Sequence, residues 1–270
     1  MSTSLSKKRW IGKIYNRFAS HGSDRSVILI YHSVSGGEVS TRVKNFREQM
    51  AWLAEHAEVV TLETLLQQET HQTQPGARRK LRVALTFDDG YRTVHDIAAP
   101  ILLQYGFPAT VYVNSAHIGE HEHQSSNSSL GHYPDESFMI WSEVIDLHSR
   151  GWTVGSHGVE HLDLTRQSPQ VISVQLSESK RVIAQAVGQE CRHFSYTWGH
   201  YNPIVRSAVA AEGYLSAVAG LHGALTSNSD IFALPRLDIR ADYELSDFID
   251  VVTGCWDYLG LKQRAVRLFP

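Results

Sequence analysis

Short apolar runs rich in β-branched residues alternate along the chain with stretches in which apolar residues recur at helical spacing. The apolar runs predict strands at residues 27–31, 82–87, 109–114, 152–155, 193–196 and 215–218. The helical patterns predict helices at residues 44–56, 94–105, 142–149, 169–187, 203–212 and 246–259. Strands that alternate with helices imply parallel βαβ units, and this many units without a GxGxxG turn favour a (β/α) barrel over a dinucleotide-binding sheet.

The chain is predicted to divide into an N-terminal basic amphipathic helix, residues 1–26, and a single α/β domain, residues 27–270. In the first segment, apolar residues at helical spacing are accompanied by basic ones: Trp10, Ile11, Ile14, Tyr15 and Phe18 with Lys7, Lys8, Arg9, Lys13 and Arg17. Such a helix can rest on an anionic membrane surface, and packing on its own domain is the alternative interpretation. Polar stretches at residues 70–80 and 119–137 predict loops, the second as an insertion near a functional rim.

The amino-acid composition limits the classes of protein to which the chain can belong. A hydrophobic fraction of 42% in 270 residues is ordinary for a globular domain, and a net charge of -3 gives no reason to expect a nucleic-acid partner. No apolar run is long enough for a secretory signal or a membrane span, so a cytoplasmic location is the expectation. The two cysteines, Cys191 and Cys255, form no metal-spaced pair and predict no disulfide framework.

The first chemical signal is Thr86-Phe87-Asp88-Asp89-Gly90, where an apolar strand runs directly into two adjacent carboxylates. Adjacent residues at a strand end point in different directions, so one carboxylate can bind a metal while its neighbour faces a substrate. Asp-Asp-Gly is also a good turn sequence, and on these residues alone a turn and a site are about equally favoured.

The second signal is the run HGVEH, from His157 to His161, which follows another predicted strand. Two histidines four residues apart fall on one face of a helical turn and can hold one ion. Together with a carboxylate they leave coordination positions open for water and substrate, as a catalytic metal site requires. Unrelated surface histidines are the alternative, but both signals lie at strand ends, where a barrel places its functional residues.

Three weaker signals lie after other strands. His32 ends the first strand, and a lone histidine there is more often structural. The aromatic segment that includes Tyr196 and Trp198 suits the apolar faces of sugars, although a hydrophobic rim is the common reading. Arg236 either approaches the acidic site or forms a surface ion pair.

TFDDG followed by HGVEH closely resembles the polysaccharide deacetylase (NodB-homology) family, carbohydrate esterase family 4, over roughly residues 27–240. The resemblance implies a distorted (β/α) barrel of about seven strands and a metal-dependent hydrolase that removes N-acetyl or O-acetyl groups from a carbohydrate. It implies one divalent metal on Asp89, His157 and His161, with Asp88 as the general base. Zinc is the expected ion, and nickel, cobalt or iron would fit the same ligands.

The chain departs from the family pattern at two motifs. Ser195 and Thr197 stand where the third motif usually carries Arg and Pro, and the Leu-x-His motif near the C-terminus is missing. Ile30-Tyr31-His32 looks like that motif moved to the front, as in the circularly permuted relatives of poly-N-acetylglucosamine deacetylases. The resemblance thus makes His32 the general acid and offers Arg236 in place of the missing arginine. Backbone near Tyr91 or Trp198 would stabilise the oxyanion.

Two other functions are compatible with parts of the sequence. HGVEH also fits the H-x-x-E-H pattern of a metallopeptidase, but that pattern needs a continuous helix, which Gly155 and Gly158 oppose. The changes at Ser195 and Thr197 allow a barrel that has lost catalysis and only binds glycans. The expected substrate is an acetylated carbohydrate, and a lipid-linked or nucleotide-linked precursor is suggested by the absence of a secretion signal.

Overall fold

A computed structural model of the chain describes residues 3–18, 25–35, 40–70, 81–127, 131–133, 135–261 and 263. Eight strands form one sheet in this part of the chain: β1 Ser26–Tyr31, β2 Ala57–Val59, β3 Leu81–Phe87, β4 Thr110–Val113, β5 Thr153–Ser156, β6 His193–Ser195, β7 Ser216–Val218 and β8 Leu237–Asp238. Seven of them lie in the order β7-β6-β5-β4-β3-β1-β8, and β2 pairs with β3. An isolated parallel bridge between Val218 and Leu234 links the region of β7 to the residues just before β8.

Helices flank this sheet: α1 Thr3–Phe18, α2 Val43–His56, α3 Leu62–Thr70, α4 Ala99–Leu103, α5 Trp141–Ser149, α6 Pro169–Val187, α7 Pro203–Ala211 and α8 Leu245–Thr253. All strand pairs among the named strands are parallel. The predicted distorted (β/α) barrel is therefore confirmed. Parallel strands place all their carboxyl ends at one edge, which is where a barrel carries its site.

Local sequence explains most helix boundaries. Ser168 accepts a hydrogen bond from the Val171 N–H, Pro169 occupies the first turn, and Gly188 ends α6 in the left-handed region at φ 71°, so its predicted bounds are matched. The predicted helix at 94–105 is wrong in detail, because Pro100 lacks the N–H that a regular helix needs. A π-helical segment, Val94–Ala98, precedes the short α4 instead.

Three short elements have no clear pattern in the sequence, and one predicted helix is longer than the observed one. The strands β2 and β8 are only three and two residues long, too short for a period to be read. Helix α3 was also missed, although Thr61 accepts a hydrogen bond from the Thr64 N–H at its start. The helix predicted to continue to residue 259 ends at Gly254, which adopts φ 96°.

Helix α1 packs on the C-terminal part of the barrel. Arg9 donates two hydrogen bonds to Asp247, each at 2.6 Å, and Gly12 lies against Trp256 so closely that a Cβ there would be 2.7 Å from the ring. Packing on its own domain is thus confirmed for one face of this helix. The other face leaves three apolar side chains exposed, Trp10, Ile11 and Ile14, and the membrane contact stays a prediction.

No helix in the described ranges is both long and apolar enough to cross a membrane. The polar stretch at residues 70–80 lies almost entirely outside the described residues. The described parts of the stretch at residues 119–137 contain no helix or named strand, as the prediction of a loop requires.

Candidate active site

A cavity of about 760 Å³ opens at the carboxyl edge of the sheet. The residues that the sequence singled out lie on its wall: His32, Asp88, Asp89, His157, His161, Trp198 and Arg236. Lys8 of α1 also lines it, so the N-terminal helix contributes to this cavity. A volume in this range is typical of pockets that enclose small molecules or part of a larger ligand.

Asp88 is held by a buried network of hydrogen bonds. Arg236 donates to both of its carboxylate oxygens, at 2.7 and 2.8 Å, and the Ser195 hydroxyl donates to Oδ2 at 2.9 Å. Burial opposes ionisation, but the charge of Arg236, assisted by that of His157, outweighs it and lowers the pKa of Asp88 below its ordinary value. Asp88 is therefore an anion at neutral pH with both oxygens oriented.

Ser195 takes part in this hydrogen-bond network, a role that the sequence does not predict for it. It was read only as a departure from the family motif, yet its hydroxyl donates to Asp88 and accepts from Arg236 at 3.0 Å. Arg236 precedes β8 in the chain and reaches Asp88 from there. The guanidinium that pairs with Asp88 thus comes from the residue immediately before β8.

Asp89 faces away from this network because the chain turns sharply after β3. Its φ is 73°, unusual for a residue with a Cβ, and Gly90 follows at φ 78°. The turn brings Asp89 Oδ1 to 3.3 Å from His157 Nε2 and 3.5 Å from His161 Nε2. Burial opposes its ionisation, but the imidazoles of His157, His32 and His161 outweigh burial and lower the pKa of Asp89.

The two histidines do not lie on one face of a helical turn, and that prediction is wrong. Residues 157–163 form an irregular loop after β5, in which Gly158 has φ 86°. The loop keeps its shape because the Gln175 side-chain oxygen accepts hydrogen bonds from the Val159 and Glu160 N–H groups, both at 2.9 Å. Gln175, a polar residue on the buried face of α6, was not identified from the sequence.

The residues around Asp89 fit a divalent cation. His157 Nδ1 lies 2.7 Å from the Ser195 carbonyl, which can only accept, so Nδ1 carries a proton and the neutral form of the ring has its lone pair at Nε2. That lone pair faces Asp89 Oδ1, which has no hydrogen-bond partner of good geometry among the described residues. Separations of 3.3 and 3.5 Å match neighbouring ligands about 2.0–2.1 Å from one ion.

The charges around His157 also favour a bound cation. Burial disfavours a charge on His157, yet the carboxylates of Asp88 and Asp89 outweigh it and raise the pKa of this histidine. The site therefore favours positive charge at the point where Nε2 meets Asp89. Within the described residues, His132 also comes close: ligand atoms of Asp89, His132 and His161 lie within 4.8 Å of one another, and all three are buried.

Two aromatic residues predicted to contact the substrate do not line the cavity. The Tyr91 ring is fully buried and stacks on Tyr133 at 5.4 Å. Tyr196 is also fully buried, and its hydroxyl donates to the Phe232 carbonyl at 2.8 Å. Apolar packing covers both rings, so neither side chain is placed to contact a ligand in this cavity; a substrate role for them and for backbone near Tyr91 stays a prediction.

Trp198, unlike Tyr91 and Tyr196, has an exposed side chain. It is 48% exposed, lies 5.0 Å from the ring of His161, and lines the cavity. The exposed indole beside the carboxylate and imidazole cluster is a surface on which the apolar face of a sugar can pack.

Comparison with known proteins agrees with this geometry. The chain matches the polysaccharide deacetylase family model over residues 76–217. It is 30% identical over 225 residues to YxkH of Bacillus subtilis, a protein named as a polysaccharide deacetylase, covering 82% of this chain and 74% of that one. It is 25% identical to the poly-β-1,6-N-acetyl-D-glucosamine N-deacetylase of Staphylococcus aureus, over 79% of this chain and 73% of that protein.

Solved structures share the fold. The deacetylase PplD of Streptococcus pyogenes aligns with a TM-score of 0.70 at 20% identity, over 84% of this chain and 98% of that one. IcaB from Ammonifex degensii aligns with a TM-score of 0.69 at 18% identity, over 88% of this chain and all of that one. The family match covers more than half of the chain and includes Asp88, Asp89 and both histidines of HGVEH. The chain belongs to the polysaccharide deacetylase family.

Proposed function

We propose that this protein is a metal-dependent N-deacetylase acting on a glycan that contains N-acetylated amino sugars. The observation that supports the proposal is that two adjacent carboxylates, Asp88 and Asp89, have different surroundings. Asp88 is held as an anion by Arg236 and Ser195, whereas Asp89 faces the imidazoles of His157 and His161. The N-acetylated substrate is favoured because the named activity of the Staphylococcus aureus relative is N-deacetylation of a poly-N-acetylglucosamine.

Asp89, His157 and His161 would hold the metal, with zinc as the first choice and nickel, cobalt or iron compatible with the same ligands. A divalent ion bound there supplies Lewis-acid chemistry that polarises an acetyl carbonyl and makes water a better nucleophile at neutral pH. Asp88 accepts the proton of the attacking water, because its lowered pKa keeps it ionised and its two oxygens are fixed. Trp198 orients the sugar ring at the mouth of the cavity.

The experiment that tests this function measures acetate release from N-acetylglucosamine oligomers with β-1,6 and β-1,4 linkages. We expect release by the purified protein, its loss after chelation and its return with added zinc or cobalt. An O-acetylated sugar of the same length serves as the control for the bond cleaved. Folded protein that binds metal but releases no acetate from these substrates would favour the binding-only barrel over the proposed enzyme.

The metallopeptidase alternative is weakened by the loop at residues 157–163, because H-x-x-E-H chemistry needs both histidines on a continuous helix. In addition, the Glu160 side chain lies 3.3 Å from the Gln175 amide nitrogen, which gives it a local structural partner. Casein hydrolysis by the metal-loaded protein is therefore expected to be undetectable.

His32 is proposed as the general acid that protonates the departing amine. It follows β1, lines the same cavity as Asp88 and Asp89, and its ring centroid lies 5.5 Å from that of Tyr133. Replacing His32 by Gln is expected to lower kcat by about 10²–10⁴-fold, the usual contribution of a general acid, while metal content stays unchanged. The measurement is kcat and metal stoichiometry side by side, and near-normal turnover would end this assignment.

The His32→Gln variant can also be tested on an ester substrate. A 4-nitrophenyl acetate substrate has a good leaving group that needs no proton, so His32→Gln is expected to retain most of its activity on that ester. His123→Gln is a matched control, since His123 contacts Glu143 at 2.9 Å and does not line the cavity. Equal losses on both substrates would assign His32 a structural role instead.

A further inference from the structure

His132 is a buried histidine beside the candidate metal site to which the deacetylase mechanism gives no task. It is 3% exposed, and neither of its ring nitrogens has a hydrogen-bond partner within the part of the chain that the structure describes. Buried polar atoms are nearly always paired, because leaving them unpaired costs the free energy of removing them from water without a replacement partner. An imidazole with two free nitrogens in such a place indicates that something else binds it.

The short segment 131–133 is fixed on both sides of this residue. Gly131 packs against Trp198 so closely that a Cβ would lie 1.8 Å from the indole, and its φ of 78° also favours glycine. The Tyr133 N–H donates to the Tyr91 hydroxyl at 3.0 Å, and the two tyrosine rings stack at 5.4 Å. His132 is thus held in place by neighbours that are themselves part of the cavity wall or the core.

The ring of His132 lies where a metal ligand would lie. Its centroid is 4.7 Å from that of His161, and its ligand atom lies within 4.8 Å of those of both Asp89 and His161. Two ligands of one ion with bonds of 2.0–2.1 Å lie at most about 4.2 Å apart, so metal binding would draw these three ligand atoms closer together than their 4.8 Å limit. The other neighbours of the ring, Phe138 at 5.0 Å and His117 at 4.8 Å, meet it edge to face.

We propose that His132 is a fourth protein ligand of the metal, joining Asp89, His157 and His161. This inference rests on the proposed metal site and goes beyond it, because that site otherwise has two histidines. Three imidazoles and one carboxylate still leave positions for water and a substrate carbonyl on a five- or six-coordinate ion. Gly131, the residue before His132, packs against Trp198, so the proposed ligand lies next to a residue that contacts the exposed indole.

The decisive measurement is the number of imidazole ligands on zinc or cobalt in the wild-type protein, determined by X-ray absorption at the metal edge. Three imidazoles are expected, and two would overturn the proposal. This readout needs neither a variant nor any turnover. It therefore separates failure of this inference, which is metal bound with two imidazoles, from failure of the proposed function, which is metal bound without acetate release. A wild-type protein that binds no metal would overturn both.

The variant His132→Phe provides the second arm, because it keeps an aromatic ring of similar size in the same packing. Competition with a fluorescent chelator is expected to show zinc affinity lowered by at least ~10-fold, and the visible spectrum of the cobalt form is expected to change. The control is His117→Phe, which alters the neighbouring histidine but leaves the Asp89, His132 and His161 group intact. Unchanged affinity and an unchanged cobalt spectrum in a folded His132→Phe protein would overturn the proposal.

Discussion

Replacing Asp88 by Asn is expected to lower kcat by about 10²–10⁴-fold while the protein keeps its metal, because the general base is lost and Asp89 is untouched. Asn is nearly isosteric, and its side-chain oxygen can still accept from Arg236, which donates to Asp88 at 2.7 Å in the wild type. Acetate release and metal stoichiometry should be measured on the same preparation. Near-normal turnover would exclude Asp88 as the base.

A loss of stability is the main confounder, since Asp88→Asn leaves the guanidinium of Arg236 buried without its carboxylate. Breaking a buried ion pair in this way costs roughly 3–5 kcal/mol, whereas replacing both members by neutral groups is often nearly neutral. The double variant Asp88→Asn with Arg236→Met is therefore expected to recover stability but not activity. Recovery of both would mean that the single variant had failed only through misfolding.

Replacing Asp89 by Asn is expected to abolish metal binding and acetate release together. Asp89 is the anionic member of the site, and its Oδ1 lies 3.3 Å from His157 Nε2 and 3.5 Å from His161 Nε2. Loss of a direct ligand should weaken affinity by more than the roughly 10–100-fold that loss of a supporting contact causes. Metal content alone thus distinguishes the two variants, because Asp88→Asn is expected to retain metal and Asp89→Asn to lose it.

Thermal unfolding gives an independent check. Zinc at 100 times its Kd should stabilise the wild type by about 2.7 kcal/mol through binding to the folded state, and should leave Asp89→Asn unchanged. Asp163→Asn is the matched control, because this carboxylate ends the same loop but accepts from Thr165 and does not line the cavity. An Asp89→Asn protein stabilised by zinc as strongly as the wild type would contradict the assignment.

The sequence predicted the fold, and it placed most of the residues of the proposed chemistry at the ends of strands. The apolar strands around residues 27–31, 82–87 and 152–155 are long enough for their pattern to be read, and parallel pairing puts their following residues at one edge. His32, Asp88 and His157 are therefore expected near one another from the sequence alone. The helix α6 was predicted to the residue, because Ser168, Pro169 and Gly188 are local signals.

What the sequence could not provide are contacts between residues far apart in the chain. Ser195 and Arg236 meet at Asp88 across separations of 107 and 148 residues. The sequence left Arg236 with two alternatives, this site or a surface ion pair, and it gave no sign that Ser195 would be a partner of Asp88. Burial of Tyr91 and Tyr196 likewise depends on which rings the surrounding loops cover. The helical reading of HGVEH was wrong because Gln175, on a distant helix, satisfies the loop N–H groups that a helix would otherwise pair internally.

Local periodicity and turn chemistry thus predicted the parallel βαβ units and the strand ends at which the two motifs stand, since these depend on neighbouring residues, whereas the seven-stranded barrel came from the family resemblance. The family resemblance assigned Asp88 and Asp89 their separate roles, but only the tertiary structure gives the physical reason, because a left-handed turn at Asp89 and Gly90 points the two carboxylates apart. The tertiary structure alone brought His132 from a predicted loop to a position where its ligand atom lies within 4.8 Å of those of Asp89 and His161. Ligand geometry arises from packing between elements, and a linear pattern does not record it.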